Sequence, residues 1–172
     1  MEGTRPRVLV LACGNPSRGD DALGPALIER LAAVSGRLPG LELELLTDYQ
    51  LQIEHALDLQ GRDLVVFVDA ALNGPEPFDF GPVIPEPLAA ITTHAMSPGA
   101  ILRVYGQVVG GQPPDCRLLA IRGYDFDLGA GLTSGAEVNL DAALEHLVHW
   151  LGNWRPCTTS SRFAPDGLRD IP

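Results

Sequence analysis

Residues 7–12, RVLVLA, form an apolar run that leads directly into the polar segment CGNPSRGDDALG at residues 13–24. A strand that is apolar on both faces is typical of the centre of a parallel sheet with helices on both sides. A second run of this kind, LVVFVD at residues 64–69, stops in an aspartate. The two runs predict two buried strands of one α/β sheet.

The segments between and after these strands alternate between helical and extended patterns. Strands alternating with helices predict βαβ units and a mostly parallel sheet covered on both faces. A single α/β domain is expected over residues 1–151, followed by a loose tail at residues 152–172. Further helices are predicted at about 25–35, 53–59, 98–108 and 138–151, strands at 41–47 and 117–122, and an edge strand at 82–84 within a proline-rich loop.

Composition and charge exclude several classes of protein. The chain has 172 residues, of which 45% are hydrophobic, and a net charge of -10. All 12 basic residues are arginine, so lysine Schiff-base chemistry and a P-loop lysine are excluded. An acidic chain is a poor match for a nucleic-acid backbone or an anionic membrane surface. No apolar run approaches the roughly 20 residues of a membrane span.

Three scattered cysteines, at positions 13, 116 and 157, contain no CxxC pair. An odd, unpaired set of this kind suggests a reducing compartment, and we expect a cytoplasmic protein without a disulfide framework.

Polar side chains follow the two buried strands, where ligands of parallel sheets gather. Asn15, Asp20 and Asp21 come after the first strand, and Asp69 ends the other. An aspartate just before a helix commonly caps it. One cap needs only one carboxylate, so the second of the pair is available as a metal ligand.

Among the four histidines, His94 is the best candidate for a ligand, because it lies in a loop just before a helix. His146 and His149 are expected on the solvent side of the last helix, and His55 has no evident partner. Two carboxylates and an imidazole would bind a first-row divalent metal and leave positions open for a substrate. The segment lacks GxSxG and GxGxxG, and Cys13 behind a buried strand is more typical of a core residue than of a nucleophile.

Four short motifs, in order along the chain, resemble those of nickel-iron hydrogenase maturation proteases. They are GNPSRGDDALG at 14–24, VDA at 68–70, TTHAMS at 92–97 and GAGLTS at 129–134. The resemblance covers roughly residues 6–151. It departs from the family at Ala22, where glycine is frequent.

The resemblance implies a three-layer α/β/α fold with a twisted sheet of about five strands. It also implies an endopeptidase that removes a C-terminal extension from a hydrogenase large-subunit precursor after nickel insertion. Asp21, Asp69 and His94 would be the metal ligands, Asp21 and Asp69 the catalytic acids, and Asn15 and Asp20 supporting residues. Nickel would be presented by the precursor, and another divalent metal could bind in isolation.

Two other functions remain open at the level of sequence. A non-catalytic chaperone that only binds the precursor would use the same three residues. A peptidyl-tRNA hydrolase also opens with a strand and Gly-Asn-Pro, and it needs a tyrosine and a histidine soon after them. Neither Tyr nor His occurs between Asn15 and Gly40 in this sequence. Neither an aspartate-activated water nor a metal-bound hydroxide is excluded as the attacking group.

Overall fold

The computed structural model describes residues 4–87 and 96–157. Within these residues five strands form one sheet in the order β2-β1-β3-β5-β4. All neighbouring strands are parallel except β4, which runs antiparallel to β5. The strands are β1 Arg7–Cys13, β2 Glu42–Asp48, β3 Leu64–Ala71, β4 Phe78–Pro82 and β5 Asp115–Arg122, and the helices are α1 Leu23–Val34, α2 His55–Asp58, α3 Pro98–Val108 and α4 Ser134–Asn153.

The sheet is covered on both faces, which confirms the predicted α/β/α layers. Alternate residues of β1 enter two separate cores: Val8 and Val10 face α1 and α4, whereas Leu9 and Leu11 face α2 and α3. All four side chains are at most 1% exposed. Burial on both faces explains why this stretch is apolar throughout rather than alternating.

The antiparallel edge strand lies earlier in the chain than predicted. It occupies Phe78–Pro82 instead of residues 82–84, and Phe78 and Phe80 pack against the α1/α4 core while Asp79 faces solvent. The prolines around this strand make its alternation of apolar and polar residues hard to recognise in the sequence. Pro82 is the last residue of the strand, where a missing N–H is tolerated.

The last helix extends two residues past the predicted domain boundary, to Asn153. Trp154 then packs against the α1/α4 core, and its indole N–H lies 3.3 Å from a carboxylate oxygen of Asp115. The rest of the expected tail, residues 158–172, lies outside the described residues. No helix in the described part of the chain is both long enough and apolar enough to cross a bilayer.

Candidate active site at the carboxyl edge of the sheet

Glycines in the segment after β1 allow three parts of the chain to meet without side chains between them. A Cβ on Gly14 would lie 2.0 Å from the carbonyl oxygen of Asp21, and Gly14 has a positive φ of 147°. A Cβ on Gly24 would lie 2.3 Å from the carbonyl oxygen of Cys13. The motif therefore folds the start of α1 back against the end of β1, which brings Asp21 to the carboxyl edge of the sheet.

Three side chains lie side by side across the ends of β2, β1 and β3. Cys13 is in register with Asp48 of β2. On its other side Ala12 is in register with Val68, which places Asp69 beside Cys13. In-register residues of parallel strands project from the same face of a sheet. Asp48, Cys13 and Asp69 therefore form a row on the face that carries α2 and α3.

Asp21 lies close to this row as well, because its charge contributes to the raised pKa of Cys13. Burial raises the pKa of the Cys13 thiol to about 12, with further contributions from the charges of Asp69, Asp48 and Asp21. A thiol with this pKa stays protonated near neutral pH, so it is a poor nucleophile. The cluster is therefore a set of carboxylates around an inert thiol, as the interpretation of Cys13 as a core residue implies.

Within the described chain, the Asp21 carboxylate is held from one side only. Its Oδ2 accepts a hydrogen bond from the backbone N–H of Asn15 at 2.8 Å. The Asn15 side chain in turn accepts from the N–H of Ser17 at 2.9 Å, which fixes the loop that carries the donor. Asn15 thus supports Asp21 through its backbone, while its side chain shapes the turn.

Asp69 is exposed to solvent as a residue, but surrounding protein atoms crowd its carboxylate at the sheet edge. This crowding raises the pKa of Asp69 to about 6, opposed by a hydrogen bond from the Ala70 N–H and assisted by the negative charge of Asp21. The Ala70 bond, at 2.8 Å, uses Oδ1. Among the described residues Oδ2 makes no hydrogen bond, so it is open to a ligand or a proton.

Asp20 has a different function from its neighbour. It is 0% exposed, and its carboxylate accepts four hydrogen bonds of 2.7–3.1 Å. The donors are the N–H groups of Tyr124, Asp125 and Thr133 and the Thr133 hydroxyl. Burial alone would raise the pKa of Asp20, but these hydrogen bonds lower it below its usual value. The carboxylate joins the 13–24 segment to the loop before α4.

The expectation that one aspartate of the pair caps α1 is wrong. In the described chain, neither α1 nor the short 3-10 helix Gly19–Ala22 before it has a side-chain cap. The Asp20 carboxylate instead reaches Thr133, which itself caps α4 by accepting from the Ala136 N–H at 3.2 Å. A long-range partner of this kind, 113 residues away, leaves no local signal in the sequence.

The structure corrects the interpretation of two histidines. His55 is 9% exposed and has partners: its Nδ1 accepts from the Gln52 N–H at 2.8 Å, and its Nε2 lies 3.3 Å from Oδ2 of Asp48. His146 does not face solvent, because its ring packs against Phe78 and Phe80 with centroids 4.9 and 5.0 Å apart. Burial, with the neighbouring His149, lowers the pKa of His146.

His149 is exposed as predicted. His94, the predicted third ligand, lies outside the described residues. Among residues 4–87 and 96–157, no three His, Cys, Asp or Glu side chains are arranged to share one metal ion. The donor set that is described, Asp21 and Asp69, fits a divalent cation in its chemistry: two carboxylates at one edge of the sheet, with Oδ2 of Asp69 open.

Asp48 is the site residue that the sequence interpretation missed. It ends a strand as Asp69 does, and that position was an available signal. β2 lies at an edge of the sheet and alternates acidic and apolar residues. Its last aspartate was therefore interpreted as another acidic side chain that faces solvent.

Known structures share this architecture. The hydrogenase maturating endopeptidase HybD from E. coli is 26% identical, with a TM-score of 0.65 over 84% of this chain and 91% of that chain. An endopeptidase from Escherichia coli is also 26% identical, with a TM-score of 0.62 over 82% of this chain and 89% of that chain. These structures share their fold with this chain; both are endopeptidases, and HybD is a hydrogenase maturating endopeptidase.

A third structure, somewhat lower in sequence identity, has the same fold. The maturation protease HycI from Thermococcus kodakarensis KOD1 is 24% identical, with a TM-score of 0.65 over 86% of this chain and 93% of that chain. No family model and no curated protein matches the sequence, so the relationship rests on three-dimensional similarity. The similarity to these endopeptidases supports the assignment of the chain as a peptide hydrolase.

Proposed function

We propose that this protein is the endopeptidase that removes the C-terminal extension of a nickel-iron hydrogenase large-subunit precursor after nickel has been inserted. We place it in the cytoplasm, since its three cysteines contain no CxxC pair and suggest a reducing compartment. The observation that carries the proposal is the placement of Asp21 and Asp69, one from each acidic motif, close enough for the charge of Asp21 to raise the pKa of Asp69.

Nickel is part of the substrate in this proposal, because the precursor presents it. Asp21, Asp69 and His94 bind it when the precursor docks. Carboxylate oxygens and a neutral imidazole are ligands that nickel accepts. Binding through the metal allows the enzyme to distinguish a loaded precursor from an empty one.

The cleavage step uses water, because the only thiol in the row, Cys13, remains protonated. Asp69 is also the proposed general base, through the carboxylate oxygen that does not hold nickel; in the metal-free protein its pKa of about 6 leaves it mostly ionised at pH 7. Water adds to the scissile carbonyl carbon as Asp69 takes its proton. The C–N bond then breaks, and the proton passes to the departing amine.

The experiment is cleavage of purified large-subunit precursor, with and without nickel, followed by mass spectrometry of the released C-terminal peptide. We expect the enzyme to cleave only the precursor that carries nickel. Asp21→Asn, Asp69→Asn and His94→Ala should each reduce the rate at least about 100-fold, since a ligand or the base is lost. His149→Ala, an exposed histidine away from the site, is the matched control and should cut normally.

Equal cleavage of loaded and empty precursor would contradict the role of nickel. Tight binding of the loaded precursor without any cleavage would instead identify the protein as a checkpoint chaperone. A loss of cleavage in a variant counts as evidence only if that variant retains the wild-type circular dichroism spectrum.

A further inference from the structure

The hydrogen bond that the His55 imidazole accepts indicates its orientation and its tautomer. Its Nδ1 accepts the Gln52 N–H at 2.8 Å, so Nδ1 carries no proton and the neutral ring bears its hydrogen on Nε2. Nε2 lies 3.3 Å from Oδ2 of Asp48. The other oxygen, Oδ1, accepts the N–H of Tyr49 at 2.6 Å. The Asp48 carboxylate is therefore held by this hydrogen bond and flanked by the His55 ring.

The remaining side of Asp48 faces a cleft. The Asp48 side chain is 33% exposed, whereas that of His55 is only 11% exposed. The cleft has a volume of about 360 Å³ and is lined by Gly14, Pro16, Pro25, Thr47, Asp48 and Tyr49. Its walls are mainly apolar, and Asp48 is the one charged residue among those that the described chain contributes to them.

This cleft lies next to the proposed active site. Gly14 forms part of its wall, and the next N–H along the chain, that of Asn15, holds Asp21. Asp48 lies beside Cys13 on β2, and Asp69 lies beside Cys13 on β3. A polypeptide whose scissile bond lies at Asp69 would therefore pass the cleft with its neighbouring residues.

We propose that His55 is a positioning residue that orients Asp48 toward this cleft, where Asp48 accepts a hydrogen bond from a main-chain N–H of the precursor next to the cut. The inference rests on the proposed function for the identity of the precursor. A main-chain N–H is present at every residue of an extended substrate except proline. A carboxylate held by the Tyr49 N–H and flanked by the His55 ring loses little freedom on accepting a further hydrogen bond.

The test measures the Kd of nickel-loaded precursor for each variant by biolayer interferometry, alongside KM and kcat for cleavage. Asp48→Ala and His55→Leu should each weaken binding about tenfold, the loss of one charge-assisted hydrogen bond, and raise KM with kcat within about twofold. His55→Gln keeps an N–H donor and should recover part of the affinity. The double variant should bind no more weakly than Asp48→Ala, because His55 acts only through Asp48.

The matched control is His146→Leu, the same substitution at an imidazole that packs against β4 instead of the site. It should leave Kd and KM unchanged. Unchanged Kd in folded Asp48→Ala, or losses that add in the double variant, would overturn the inference. Because binding and cleavage are separate readouts, a wild-type protein that binds but does not cut would contradict the proposed endopeptidase while the Asp48–His55 binding result still stands.

Discussion

At the scale of single residues, two adjacent aspartates have opposite electrostatic settings. Asp20 is enclosed and accepts four hydrogen bonds, which lower its pKa. Asp21 accepts one from the described part of the chain, and its charge helps to raise the pKa of Asp69. A carboxylate satisfied by N–H donors stabilises the fold, whereas one left partly unsatisfied and near a like charge is available for a cation or a proton.

Asp69 gives the first prediction. Cleavage and metal binding require its ionised form, so both should fall as the pH drops through about 6. A raised pKa in the folded state also means that ionisation costs stability. The penalty develops as pH rises from 3.8 to about 6, so Asp69→Asn should have a higher Tm than wild type at about pH 7.5 and an equal one near pH 4.

The measurement for Asp69 is a pH series of cleavage rate and thermal melts. Glu145→Gln, an exposed neutralisation on α4, is the control and should change neither. An Asp69→Asn variant that melts below wild type at about pH 7.5 would show that the carboxylate is satisfied in the fold rather than held at a cost.

Asp20 gives the second prediction, of opposite sign. Asp20→Asn places an amide against four donors and should lower the free energy of unfolding by about 2–4 kcal/mol at pH 7. Since the folded pKa is lowered, the carboxylate's contribution is present above its unfolded pKa and is lost as pH falls through the folded one. In urea unfolding, the difference in free energy of unfolding between variant and wild type should become smaller below about pH 4. A difference that stays constant with pH would contradict the ionised carboxylate as its source.

At the scale of elements, glycine determines how closely α1 approaches β1. A Cβ on Gly24 of α1 would meet the Cys13 carbonyl, whereas a Cβ on Gly106 of α3 would have no described atom within 4 Å. Both are helical glycines, so intrinsic helix propensity acts on them alike. Only their tertiary surroundings differ.

The third prediction compares alanine at these two glycines. Gly24→Ala should lose at least about 2 kcal/mol of stability and impair cleavage, because the helix must move away from Cys13 and carry Asp21 with it. Gly106→Ala should gain about 0.5–1 kcal/mol, since only the propensity difference remains. Urea unfolding and the cleavage assay measure both. Equal effects at the two sites would exclude close packing as the reason for Gly24.

At the scale of the whole molecule, the charge distribution decides which partners are compatible. The net charge is -10, and three of the carboxylates, Asp21, Asp48 and Asp69, lie together at one edge of the sheet. Such a surface repels phosphate backbones and favours a metal-bearing or N–H-donating partner.

The fourth prediction follows from this charge. Fluorescence anisotropy with labelled tRNA at about 0.15 M salt should show no binding up to about 100 µM protein, the range in which non-specific nucleic-acid binders associate. A basic RNA-binding protein of similar size is the positive control. Saturable binding that weakens with added salt would contradict this prediction and support the peptidyl-tRNA hydrolase alternative.

The sequence by itself determined the two buried strands, the α/β layering and the ends of α3, because the apolar pattern and helix-terminal residues are local signals. Ser97 and Pro98, for example, mark the start of α3 in the sequence, and Ser97 caps it in the structure. The motifs also placed Asp21 and Asp69 after neighbouring central strands, whose carboxyl ends meet at one edge of a parallel sheet.

Only the tertiary structure decided what each polar side chain contacts. The partners of Asp20 come from 104 to 113 residues away. The ring of His146 packs against β4, a strand that its surrounding prolines make hard to recognise in the sequence. Asp48 reaches the site because of the register of β2 against β1. Register and long-range hydrogen bonds depend on how elements pack, and a side chain that is polar in the sequence carries no mark of whether it will meet water, a donor or another charge.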